Sequence, residues 1–167
     1  LAIAAADTKF TLAYSKIATS PDGGSTYFLP RIVGARKALE LMMLSDTFDA
    51  DAALASGLVN WVVASADLAA ATARLAQRLA NGPTLAYAET KTLVNGAFDG
   101  TLTAHLEAEA RAFARCAGTH DLAEGVTAFV QKRKPDFKGK QPLNAEDAED
   151  AGERRGKQRP ETHDGVC

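Results

Sequence analysis

Short β-prone runs occupy only the front of this sequence, and from Asp67 onward the pattern is almost wholly helical. Leu1 to Ala6 is an apolar run without helical punctuation and Lys9 to Ala13 (KFTLA) is a second, so two buried strands are expected to open the chain. Leu58 to Val63 (LVNWVV) is the clearest remaining strand. Between them, helices are predicted over Ser25 to Ile32, Ala35 to Leu44 and Asp49 to Ser56, the last stopped by Gly57. Four more follow, over Asp67 to Leu79, Pro83 to Phe98, Leu102 to Cys116 and Asp121 to Lys132. Pro83 after Gly82 pairs a helix stop with a helix start, and Thr119-His120-Asp121 supplies a cap for the last helix, whose Leu122, Val126, Phe129 and Val130 mark one apolar stripe. Two or three strands are too few for a sheet of usual size, so the front half calls for strands that this sequence lacks.

Composition narrows the class. Hydrophobic residues make up 46% of the 167 positions and charged residues 24%, as in an ordinary globular α/β protein. The net charge of −2 offers no global positive field for nucleic acid or an anionic membrane. Residues 141–167 hold seven acids and four bases with almost no large aliphatic side chains, and are expected to form a disordered tail. The apolar stretches fall short of the roughly 20 residues a spanning helix needs. Cys116 and Cys167 give no disulfide framework, which points to a reducing, cytoplasmic setting. Leu1 to Ala6 lacks a basic leader and reads as a chain entered in mid-strand rather than as a signal peptide.

Few motifs carry chemistry. His105, His120 and His163 are far apart and no cysteine joins them, so no metal site is expected. A nucleophile elbow, a phosphate-cradling glycine loop and a dinucleotide fingerprint are all missing. The informative segment is Phe10 to Gly34, FTLAYSKIATSPDGGSTYFLPRIVG. Pro21-Asp22-Gly23-Gly24 is turn chemistry before a helix, so Asp22 reads on local grounds as a turn or N-cap residue. Tyr14, Tyr27 and Phe28 read as core aromatics, and Lys132, Arg133 and Lys134 as a solvated helix end favoured by the helix dipole.

That segment resembles the crotonase superfamily, the enoyl-CoA hydratases and isomerases, and its Ser-Pro-Asp-Gly-Gly-Ser-Thr form is most similar to the isomerase branch, including ring-epoxide isomerases of phenylacetate catabolism. The likeness continues through Arg31-Ile32-Val33-Gly34, Ala35 to Leu44, Asp51-Ala52-Ala53, Gly57-Leu58-Val59 and the closing Gly125 to Lys138. It implies the C-terminal part of a ββα spiral core over residues 1–64, a helical trimerisation segment over 65–140, and the tail beyond. It also implies that two backbone N–H donors, which hold a thioester oxygen as it becomes an enolate, come from segments upstream of Leu1. Family hydratases use two glutamates, one of them at the position of Tyr14, and a tyrosine with an ordinary pKa near 10 does not replace a carboxylate base. Family isomerases and a dehalogenase place a working aspartate at Asp22.

On that resemblance Asp22 is the expected acid/base, taking a proton from one carbon of an acyl-CoA and returning it at another. Tyr14 and Tyr27 are expected to line the acyl pocket, with Phe129 against the acyl chain and Lys132 near a coenzyme A phosphate. Arg31 has Asp22 or a neighbouring subunit as candidate partners. No separate cofactor is expected, because coenzyme A belongs to the substrate. The expected partners are an acyl-CoA and further copies of the chain, as a trimer or dimer of trimers, with no nucleic acid and no membrane. An enoyl-CoA hydratase is the alternative within the family, and a non-catalytic oligomerising fragment is the alternative outside it.

Overall fold

The computed structural model describes residues 1–139, so the expected tail over 141–167 lies outside the described residues. Contacts divide the chain into two units, Leu1–Ala76 and the residues from Gln77 on. In the first, strand β1 (Ile3–Ala5) pairs in parallel with β4 (Trp61–Val63), placing Ala4 opposite Val62. The pairing is extended at both ends, by Ala6 N–H on the Val63 carbonyl at 2.8 Å and by Asn60, which exchanges hydrogen bonds with the backbone of Ala2. A parallel pair needs a long crossover, and here it contains helices α1 (Ser25–Val33), α2 (Ala35–Leu44) and α3 (Ala50–Ala55).

A second ladder was not foreseen. Strand β2 (Lys9–Phe10) runs antiparallel to β3 (Phe48–Asp49), with the Phe10 and Phe48 rings stacked at 5.5 Å. Because β3 is two residues long, β2 stops at Phe10 instead of continuing to Ala13, and Ala13–Ile17 coils into a 3-10 turn that carries Tyr14. The opening strand is likewise shorter than expected, and Leu1 is 79% exposed.

Asp49 ends β3 and caps α3, its carboxylate accepting from Ala52 N–H at 2.9 Å. At the other end of α3, Gly57 takes φ +76° and the N–H groups of Gly57 and Leu58 return to the carbonyls of Leu54 and Ala53. This is a Schellman stop, which needs a left-handed residue at the position Gly57 holds. It consumes the front of the expected Leu58 to Val63 strand and leaves Trp61–Val63 for the sheet. The core has two clusters, Ala4, Ala50, Ala53 and Val59 in one and Leu29, Ala38, Leu41 and Met42 in the other. Phe48 and Leu58 pack against both and join them.

Helix α4 (Leu68–Ala80) follows the sheet, and the second unit carries α5 (Thr84–Gly96), α6 (Leu102–Ala117) and α7 (His120–Val130). Arg115 of α6 grips Glu89 of α5 through two hydrogen bonds of 2.6 Å. Thr119 caps α7 as expected, accepting from Leu122 N–H while donating to the Cys116 carbonyl. The chain after α7 folds back: the buried Asp121 carboxylate accepts the N–H groups of Lys138 and Gly139, and Glu124 accepts Arg133 and the N–H of Asp136. That return ends the helix at Val130, so Lys132 lies beyond it with φ +53°, contrary to its expected place on the helix. The residues α7 buries are Asp121 and Ala128, whereas the stripe of Leu122, Val126, Phe129 and Val130 is exposed.

Candidate active site

Gly23 and Gly24 take φ +60° and +84°, turning the chain sharply after Pro21-Asp22 so that α1 can start. A side chain at Gly24 would meet the Phe28 ring at about 3.0 Å, so the turn also needs glycine for space. Gly24 is the N-cap of α1, and its carbonyl takes the N–H groups of Tyr27 and Phe28. Ser25 binds the Asp22 carbonyl through both its N–H, at 3.0 Å, and its hydroxyl, at 2.8 Å. The Asp22 side chain therefore does not serve as the helix cap, one of the two local roles open to it in the sequence.

Its carboxylate meets Tyr14 instead. The Tyr14 hydroxyl donates to Asp22 Oδ1 at 2.7 Å, across a gap of eight residues. The carboxylate, first through this bond and then through its charge, holds the Tyr14 hydroxyl above its ordinary pKa of 10.0, which keeps it a proton donor. The Asp22 backbone and the Ser25 hydroxyl approach the same phenol oxygen and act in the opposite direction. Tyr14 occupies one carboxylate oxygen of an exposed aspartate, on the surface of the turn.

Beside the turn lies a mainly apolar cavity of about 330 Å³. Gly23, Gly24 and Ser25 form one wall, and Leu12, Phe28 and Leu29 contribute to the rest. Asp22 directly precedes this glycine wall without itself lining the recess, and a carboxylate in the same turn as an apolar recess suits acid/base work on a carbon acid with a hydrocarbon tail. Among the expected pocket residues, Tyr14 is brought to Asp22, whereas Tyr27 stands on α1 with its ring under the Arg31 guanidinium, 3.6 Å from the ring centroid. Arg31 also donates to the Tyr27 carbonyl at 2.8 Å. Neither Tyr14 nor Tyr27 lines the cavity, and Phe28, the residue after Tyr27, does.

Phe129 and Lys132 belong to the second unit. Phe129 is 85% exposed and borders a separate apolar recess, also about 330 Å³, with Leu85, Cys116, Val126 and Phe137. Lys132 donates its backbone N–H to the Phe129 carbonyl at 3.2 Å in the turn that closes α7. Ser45 belongs to no motif that the sequence marks. Its one sequence signal is a serine directly after the Leu41-Met42-Met43-Leu44 run, where a helix stop favours glycine.

A family profile described as enoyl-CoA hydratase/isomerase matches residues 1–140. The 1,2-epoxyphenylacetyl-CoA isomerase of Escherichia coli (strain K12) is 39% identical over 141 residues, which are 84% of this chain and 53% of that protein. The crotonyl-CoA hydratase of Syntrophomonas wolfei subsp. wolfei is 36% identical over 135 residues, 81% of this chain and 52% of that one. Among solved structures, an enoyl-CoA hydratase from Bacillus anthracis matches with a TM-score of 0.77 at 30% identity, covering 83% of this chain and 54% of its own. An enoyl-CoA hydratase from Polaromonas sp. JS666 matches with a TM-score of 0.75 at 33% identity, over 81% of this chain and 53% of its own. This chain belongs to the enoyl-CoA hydratase/isomerase family, an enzymatic family of the crotonase superfamily, and it has the corresponding α/β fold. The chain spans about half the length of the curated relatives it matches.

Proposed function

We propose that this chain carries the acid/base of an acyl-CoA isomerase, with Asp22 moving the proton. The Asp22 carboxylate takes a proton from one carbon of the thioester's acyl group, leaving an enolate, and the resulting carboxylic acid, exposed so that its proton exchanges with water, returns a proton at another carbon. Nothing is gained or lost overall, so one carboxylate suffices for a double-bond shift; the rearrangement of a ring epoxide is the other isomerisation within this reading. The observation that carries the reading is the Tyr14 to Asp22 hydrogen bond. It places a neutral donor, held protonated, on the carboxylate of the residue that precedes Gly23 and Gly24, which line an apolar cavity. A tyrosine at position 14 also weighs against water addition by two carboxylates. The similarity to a protein named 1,2-epoxyphenylacetyl-CoA isomerase agrees with this choice.

Tyr27, Phe129 and Lys132 enter the same proposal as substrate-binding residues, Phe129 toward the acyl chain and Lys132 toward a coenzyme A phosphate. By role, residues 1–64 carry the proton-shuttling part of the core and residues 65–140 the helices that join subunits into a trimer or a dimer of trimers. Exposed Val94, Phe113 and Phe129 in the second unit support an interface there, since large apolar side chains gain by leaving water.

Hydration is the second reading, favoured by relatives named as hydratases. The two are separated by incubating the whole protein with a β,γ-unsaturated or ring-epoxide acyl-CoA and, separately, with an α,β-unsaturated one. Isomerised product from the first supports the proposal. A β-hydroxy product from the second, with the first untouched, replaces it.

A further inference from the structure

The 3-10 turn that presents Tyr14 has no buried residue of its own, and its Ile17 is 76% exposed. Apolar packing reaches this stretch only through the partly buried Leu12 at its N-cap. Besides the Tyr14 to Asp22 bond, the side-chain hydrogen bonds that reach it among the described residues come from one residue 30 or more positions away. Ser45, fully buried at 0% exposure, closes α2. Its hydroxyl donates to the Leu12 carbonyl at 2.5 Å and sits 2.5 Å from the Ser15 hydroxyl, which completes the relay as donor to Ser45. Its own carbonyl accepts the Thr11 hydroxyl at 3.3 Å.

Ser45 has φ +53° and ψ +30°, a left-handed backbone that glycine adopts with least strain. A helix stop alone would be served better by glycine, and the hydroxyl, which also reaches the Met42 carbonyl of its own helix at 3.4 Å, makes its shorter contacts outside that helix. Its tertiary contacts go to residues two before and one after Tyr14. Thr11 and Leu12 are also walls of the cavity that Gly23 and Gly24 line.

We propose that Ser45 is a positioning residue for the candidate active site: its hydroxyl relay to Leu12 and Ser15 locks the 3-10 turn so that the Tyr14 phenol stays on the Asp22 carboxylate. The proposal deepens the reading of Asp22 as the acid/base and rests on it for its functional meaning.

The test follows the phenol directly and needs no turnover. Tyrosine labelled with ¹³C at Cζ reports the ionisation of each phenol in the full chain, and Tyr14→Phe identifies the Tyr14 signal among the three tyrosines. Asp22→Asn defines the midpoint of Tyr14 without a carboxylate beside it. In Ser45→Ala, in the strain-free Ser45→Gly and in Ser15→Ala, the Tyr14 midpoint is expected to fall more than half-way from the wild-type value to that of Asp22→Asn. Ser15 is exposed, so Ser15→Ala keeps the test alive should the buried Ser45 variants fail to fold. Wild-type midpoints in the folded variants overturn the proposal, because a helix stop with a purely structural role changes stability without moving Tyr14. Wild-type turnover in Asp22→Asn defeats the acid/base reading instead, and leaves the titration result standing.

Discussion

The proposed acid/base, Asp22, and its partner Tyr14 are joined by one hydrogen bond of 2.7 Å. Replacing Tyr14 with Phe keeps the ring and removes only the donor. The expected outcome is a fall in turnover of about tenfold or more, as a reacting group loses its fixed position, with the thermal unfolding midpoint nearly unchanged. Steady-state kinetics beside a melting curve check this, and a large loss of stability with normal turnover contradicts it. Pro-Asp-Gly-Gly alone marks Asp22 as a turn or cap residue; the resemblance to the family singles it out as acid/base, and the sequence names Tyr14 as a pocket residue without pairing the two. Tyr14 reaches it because the 3-10 turn coils, and that coil depends on Ser45, 33 residues from Leu12. Local pattern marks Ser45 only as a serine at a helix stop and says nothing of its reach to Leu12 and Ser15.

At the level of elements, helices and the places of β1, β2 and β4 are readable, whereas the strand lengths and β3 are not. Helix α2 spans Ala35–Leu44 as its apolar spacing predicts, and the glycines at 24, 34 and 57 mark element ends. Strand β3 exists only because β2 pairs with it, so two residues of unremarkable sequence become a ladder through tertiary contact. Asp49→Ala removes the N-cap of α3 and is expected to cost about 1 kcal/mol in chemical denaturation, whereas Asp49→Asn stays close to wild type. A loss of similar size in both variants would point away from capping.

The return after α7 makes a prediction in acid. Arg133 and the Asp136 N–H hold the Glu124 carboxyl at about 2, below its ordinary 4.5. The unfolded chain therefore binds the proton more readily between these values, so Glu124 adds stability that is present above about 4.5 and lost as pH falls toward 2. Unfolding followed from pH 6 to pH 2.5 should show this loss in wild type and a shallower one in Glu124→Gln. Parallel curves would contradict it.

Over the whole molecule, the sequence and the family agree on architecture, and the surface shows what the chain leaves uncovered. Val94, Leu102, Phe113, Phe129 and Val130 are each more than 60% exposed in the second unit. The expected stripe on α7 was identified correctly as apolar, but the helix buries Asp121 and Ala128 instead, because the returning segment 136–139 is bound by backbone N–H groups rather than by that stripe. If subunits meet here, Phe129→Asp should shift the whole protein toward monomers in light scattering at fixed concentration. An unchanged assembly would exclude Phe129 from the interface.

Proton transfer by Asp22 is tested most directly by turnover of a β,γ-unsaturated acyl-CoA in deuterated water, comparing the whole wild-type protein with its Asp22→Asn variant. The proposal predicts an isomerised product with deuterium entering at the carbons that exchange protons with the enolate. It also predicts a loss of about 10²- to 10⁴-fold in rate for the variant, which keeps size and fold but has no base. Isomerisation by Asp22→Asn at the wild-type rate would contradict it.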